Sequence, residues 1–208
     1  MSTLLLYVRT AWIDYYPGTT PNRTNSQTYT SRQVFSGTYV CVSNCLFKSI
    51  TATSEGGAMY CSSVTNLLVE STSFFSCTTT SSGGAIYLYN SNAQCVLYKV
   101  CGYECRSTTS GNSQFAYIVI NNAVSSKNYV NYSSISRSIS EVSGSTQPLR
   151  LRNGKICCPS VNLSMNKCNY RPGIYCEPYD DSNSVTCSLT YSTFADNNAT
   201  GYTCIRFG

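Results

Sequence analysis

CLFKSITATSEGGAMYCSSVTNLLVES (residues 45–71) is followed at once by TSFFSCTTTSSGGAIYLYNSNAQCVLY (residues 72–98). At an offset of 27 residues the two share Phe47/Phe74, Gly56/Gly83, Gly57/Gly84, Ala58/Ala85, Tyr60/Tyr87 and Val69/Val96. A fixed period in this range marks stacked supersecondary units, each too small to bury its own inner face. The C-terminal third repeats at an offset of 28, where Ser164, Asn169, Gly173 and Cys176 recur as Ser192, Asn197, Gly201 and Cys204. Between these pairs the register loosens, with Tyr117 lying 30 residues beyond Tyr87, as if three residues had entered the turn at 107–113. Insertions in turns cost little.

Within a unit the apolar runs are short and separated by Ser, Thr, Asn and Gly clusters, and no window carries the i, i+3, i+4, i+7 stripe of a helix. The expected fold is therefore all-β. It is a right-handed parallel β-helix with coils of about 22–30 residues, whose strands pair with their equivalents about 4.8 Å above and below. Tyr60 and Tyr87 then stand one coil apart in a ladder. Gly56-Gly57-Ala58 and Gly83-Gly84-Ala85 mark a corner that requires positive φ or very close packing, which glycine supplies without steric cost.

Composition agrees. Of 208 residues, 42% are hydrophobic and only 11% charged, and the chain carries 18 tyrosines. The net charge of +5 comes from scattered Lys and Arg without a basic run, which argues against nucleic acid as partner. Histidine is absent, which removes the commonest general base and the usual zinc ligand. The thirteen cysteines form no C-x-x-C, and Cys61 replaces Leu88 while Cys95 replaces Leu68, so cysteine reads as a small core hydrophobe. No metal and no cofactor is expected. No segment is apolar over the length of a membrane span, and the run at residues 4–8 is too short for a secretory leader.

The tetrapeptides Gly83-Gly84-Ala85-Ile86, Gly56-Gly57-Ala58-Met59 and Phe194-Ala195-Asp196-Asn197, with Phe47 and Phe74 heading FKSI and FFSC, resemble a known repeat. The polymorphic outer-membrane protein family of bacterial autotransporter passengers, and similar surface proteins of parasitic protists, repeat GGA[I/L/V] and FxxN along a parallel β-helix. The resemblance covers residues 41–120, with an echo over 160–205. It implies an exposed adhesive or antigenic surface and no enzyme.

Residues 1–35 lack the repeat and read as an N-terminal cap with a polar leader. Residues 4–8 and 12–16 are expected to cover the open end of the helix formed by 36–208, and residues 125–147 to form a lateral loop or degenerate coil. The chain stops at Cys204, Ile205, Arg206, Phe207 and Gly208, which reads as a fragment of a longer solenoid or an end covered by another molecule. The sequons at Asn22, Asn131, Asn162 and Asn198 suit a glycosylated exterior.

The expected function is a non-catalytic, surface-exposed binding or adhesion module, at the cell surface or secreted. Its tyrosine- and hydroxyl-rich faces would take a protein or glycan partner. Two alternatives stay open. One is a structural protein assembling end to end or laterally, with an intracellular scaffold as its setting. The other is a polysaccharide-active enzyme, for which Asp180, Asp181 and Glu177 are the candidate acids and Lys155 or Arg171 the basic partner.

Overall fold

The computed structural model describes residues 11–109, 113–180, 185–200 and 204–208. Residues 4–8, Asp181 and Gly201 lie outside them. The described chain is a parallel β-helix. Three seven-stranded sheets run its length, joined on a fourth side by shorter three- and two-stranded sheets. Sheet A runs from Asn22–Asn25 to Cys187–Thr190, sheet B from Thr28–Tyr29 to Thr193–Ala195, and sheet C from Gln33–Phe35 to Ile205–Phe207. Every ladder is parallel and in register. Phe47 pairs with Phe74, Tyr60 with Tyr87 and Tyr87 with Tyr117, as the repeat predicts.

The register corrects several expectations. The first coil starts at Asn22, so residues 22–35 of the supposed leader carry three strands. Coils range more widely than about 22–30 residues, from the 18 separating Asn25 and Ser43 to the 33 separating Val100 and Ser133. Val96 faces Leu68, and Cys95 faces Leu67, because residues 90–93 add one residue to the turn before sheet A. The C-terminal period is 31 rather than 28, since Asn166 bonds to Asn197 and Leu163 pairs with Phe194. The region 125–147 is largely regular, with strands Lys127–Asn131 and Ser134–Ser136; its irregular part begins only after Ile139.

Sharp corners make the coil possible. Between sheets A and B the chain turns on one left-handed residue per coil: Ser26, Asn44, Ser71, Lys99, Tyr132, Ser160 and Tyr191. After sheet B it turns on Ser49, Ser76, Glu104, Arg137, Met165 and Asp196, and φ in both columns lies between 47° and 55°. Left-handed backbone disfavours residues with a Cβ. Stacking compensates, because the bend residue's N–H donates to a carbonyl of the next coil, as Asn44 does to Glu70, Ser71 to Tyr98 and Lys99 to Asn131.

The residue after the second bend points inward, and there the FxxN pattern acquires a physical role. Asn197 Nδ2 donates to the Leu163 carbonyl, while its Oδ1 accepts from the backbone N–H and Nδ2 of Asn166. Asn166 in turn accepts from the Ser138 N–H. In the coils that lack asparagine, Ile50, Cys77 and Cys105 fill the same column, and the two thiols donate to strand carbonyls of Phe75 and Tyr103. The double glycine has two different duties. Gly56 and Gly83 hold φ of +66° and +70°, whereas Gly57 and Gly84 lie so close to the next coil that a Cβ would overlap the carbonyls of Gly84 and Gln114.

Over Tyr39–Ser43, Asn66–Glu70 and Gln94–Tyr98, sheet A is buried on both faces. Val40, Val42, Leu67, Val69, Cys95 and Leu97 face the interior, while Cys41, Leu68 and Val96 face outward and are covered by Ala11, Trp12 and Tyr16. Helix α1 (Trp12–Tyr15) is therefore a lateral strap and not an end cap. Trp12 Nε1 donates to Thr19, Tyr16 Oη donates to the Leu67 carbonyl, and the Ala11 N–H meets the Glu70 carboxylate. The signal lay in the sequence: YVCVS, NLLVE and QCVLY are continuous rather than alternating apolar runs, as a strand covered on both faces requires.

One interior exchange of volume stands out. The column Phe47, Phe74, Gly102, Ile135 loses its ring at Gly102, and Phe115, standing where earlier coils have Ala58 and Ala85, fills the gap edge-on to Phe74 at 5.8 Å. A Cβ at Gly102 would meet the Phe115 ring. We expect Gly102→Ala to destabilise by about 1–3 kcal/mol, as overpacking does. Adding Phe115→Leu should recover part of that loss, so urea unfolding of the double variant should be less affected than the sum of the singles.

Candidate binding face

The outward positions of sheet C align, coil by coil, Val34, Tyr60, Tyr87, Tyr117, Arg150, Tyr175 and Arg206. Parallel pairing puts equivalent side chains one strand spacing apart, close enough for rings to stack. Tyr60 and Tyr87 stack at 5.7 Å and 12°, and Tyr87 and Tyr117 at 5.3 Å and 11°. Cations close both ends of this tyrosine run. The Arg32 guanidinium lies 4.7 Å from the Tyr60 ring, and that of Arg150 lies 5.2 Å from Tyr117 and 5.3 Å from Tyr175. Arg171 and Arg206 also lie over Tyr175, at 4.6 and 5.2 Å.

The faces of the rings are thus taken up by their neighbours, and what meets solvent is a row of ring edges, phenol hydroxyls and guanidinium groups. Burial, reinforced by the adjacent Tyr117, pushes the Tyr87 hydroxyl up to about 12, so Tyr87 donates hydrogen bonds as a neutral phenol. A second outward column, Tyr89, Val119, Arg152 and Glu177, runs beside it. Tyr89 is 55% exposed, and the Arg152 side chain 48%.

Glu177 is anchored inside this face. It accepts from Arg150 Nη2 at 2.9 Å and from the Tyr175 hydroxyl at 2.8 Å, with Arg152 Nε 3.8 Å away. Burial opposes its ionisation, but the Tyr175 and Arg150 hydrogen bonds and both guanidinium charges outweigh that and hold its carboxyl below the ordinary 4.5. A group so placed stays ionised and engaged, the reverse of what a proton donor needs. The other residues of the enzyme alternative do not gather around it. Asp180 is exposed in the loop beyond, and Lys155 belongs to sheet A, in register with Lys127. Arg171 lies over the Tyr175 ring, whose hydroxyl donates to Glu177.

A second concavity of about 450 Å³ lies where the short fourth-side sheet breaks, between Arg106 and the segment Ile139, Ser140, Glu141 and Val142. Of its charged lining residues, Glu141 is paired with Lys167 at 2.7 Å. Among the described residues no group of three or more Cys, Asp or Glu could hold a metal ion, and no helix is long and apolar enough to cross a membrane.

All thirteen cysteines are free thiols. Most are interior, and burial pushes Cys61 up to about 12 and Cys41 up to about 11. Cys101 alone is exposed. Of the sequon asparagines, Asn22, Asn162 and Asn198 are exposed, whereas Asn131 is 7% exposed and its Nδ2 donates to the Tyr15 hydroxyl at 2.6 Å. The three solvent-facing asparagines are those available to a glycan.

Comparison with known proteins gives no matching family model, no matching curated protein and no matching solved structure.

Two measurements test this geometry. Because the folded carboxyl of Glu177 ionises more readily than an unperturbed one, its contribution to stability is complete above pH 4.5 and is lost as pH falls through its lowered value. Glu177→Gln should therefore flatten the acid limb of the unfolding midpoint against pH. A thiol reagent applied to native protein should modify Cys101 first, and Cys61, Cys95 and Cys158 only after unfolding, as read by peptide mass spectrometry.

Proposed function

We propose that this chain is a non-catalytic β-helix binding module that presents the tyrosine–arginine face of sheet C to a protein or glycan partner, at a cell surface or in a secreted setting. The observation that carries the reading is the column Tyr60, Tyr87, Tyr117, Arg150, Tyr175 and Arg206, with Arg32 lying over the Tyr60 ring. It gathers two of the residue types enriched at recognition surfaces onto one rigid sheet, so that little side-chain freedom is lost on binding. The exposed sequons Asn22, Asn162 and Asn198 are compatible with an exterior setting. Support also comes from the resemblance to the GGA[I/L/V] and FxxN surface proteins, since each tetrapeptide has a definite task at a coil corner.

The test uses Tyr89→Ala and Arg152→Ala, both partly exposed, against Lys48→Ala on sheet B as control. Binding to glycan arrays and to intact cells should fall by about tenfold or more for the first two, as loss of a central contact does, and stay unchanged for the control. Equal binding by all three, with unchanged unfolding midpoints, would remove sheet C as the site.

A further inference from the structure

Resting on that reading, we infer that the ligand is an acidic linear polysaccharide, lying along the helix axis over Tyr117, Arg150, Arg152, Tyr175 and Arg206, and held through its carboxylate or sulfate groups.

Charge is unevenly spread along the column. In the N-terminal half Arg32 is engaged by the backbone, donating through Nε and Nη2 to the carbonyls of Glu55 and Gly56 at 2.8–3.1 Å. The C-terminal half gathers Arg150, Arg152, Arg171 and Arg206, with Glu177 as the acid that pairs with Arg150 and Arg152. Arg206 lies on Tyr175, and its side chain has no hydrogen-bond acceptor among the described residues. Among those same residues Arg152 reaches only Glu177, at 3.8 Å. Two guanidinium forks therefore keep donors for a bidentate acceptor, and Arg is the side chain whose geometry matches a planar carboxylate or a sulfate.

The spacing selects a chain over a single small anion. Arg150 and Arg206 occupy one column two coils apart, roughly 10 Å at the strand spacing. Such a separation suits acidic groups on alternate sugars of an extended polymer. The Tyr117 phenol beside Arg150 supplies a donor for sugar hydroxyls.

The same geometry disfavours single-stranded nucleic acid. Binding of that kind relies on open aromatic faces for base stacking, and the faces of Tyr60, Tyr87 and Tyr117 are stacked on one another or covered by arginine.

The experiment measures binding of the whole chain, by calorimetry or biolayer interferometry, to four probes. These are polygalacturonate, a heparin-type sulfated chain, a neutral β-glucan of similar length and a single-stranded oligonucleotide. The expected result is binding to one or both acidic glycans that weakens with added salt, and none to the glucan or oligonucleotide. Preference between the first two identifies carboxylate or sulfate as the group read. Arg152→Ala and Arg206→Ala should each weaken binding about tenfold, the loss of a charge-assisted hydrogen bond. Glu177→Gln should strengthen it by releasing Arg150 and Arg152. Unfolding midpoints are recorded for each variant, and Arg152→Lys and Arg206→Lys, which keep the charge but lose the fork, stand in where an alanine variant fails to fold.

Equal binding of the neutral glucan, or unchanged affinity in both arginine variants, overturns the acidic ligand while leaving a sheet C binding module in place. Oligonucleotide binding as tight as that of the glycans overturns it as well. Binding of no glycan, with sheet C variants also indifferent on intact cells, overturns the module itself.

Discussion

The hydrogen bond that crosses from one coil's bend to the next coil's carbonyl is the constraint on which this structure depends. A residue with a Cβ resists the left-handed conformation, and two such residues bend nearly every coil. Each is held because its N–H finds a carbonyl directly above it, as with Asn44 on Glu70 and Ser49 on Phe75. A bend that lost its neighbour would leave that donor unpaired and its backbone strained together. The bends therefore stack or fail as columns, and their stacking brings every strand between them into register.

Register in turn makes chemistry repeat in space. Phe47 and Phe74 stack inside at 4.9 Å and 9°, and Tyr60 and Tyr87 stack outside, for the same geometric reason. Variation is then tolerated in compensated pairs. Phe115 replaces the ring missing at Gly102 by reaching over from a neighbouring column. Polar residues enter the interior on the same terms: the hydroxyls of Thr72, Ser133 and Ser192 each accept the N–H of the preceding coil's residue in their column, at Cys45, Val100 and Val161. A buried hydroxyl so placed is satisfied, and the column alternates apolar and polar without penalty.

Much of this was legible in the repeat. The Tyr60, Tyr87 and Tyr117 column could be read because those coils have nearly constant length. The continuation through Arg150, Tyr175 and Arg206 could not, because the turns between them vary and no constant offset joins the residues. For the same reason a period of 28 was read at the C-terminus where Asn166 and Asn197 set 31. The place of α1 was misread for another reason. Trp12 and Tyr16 are apolar enough to cover something, but which surface lacked cover was written elsewhere, in the outward Cys41, Leu68 and Val96.

By itself, the sequence determined that this chain is a stack of parallel coils, because glycine pairs and ring positions recur at a spacing that only stacking satisfies. Only the tertiary structure decided which residues share a face. Side chains on a solenoid surface become neighbours through pairing across coils, and pairing depends on the accumulated length of every turn between them. That is why Glu177, read from the sequence as one of a cluster of turn acids, stands instead among Tyr175, Arg150 and Arg152.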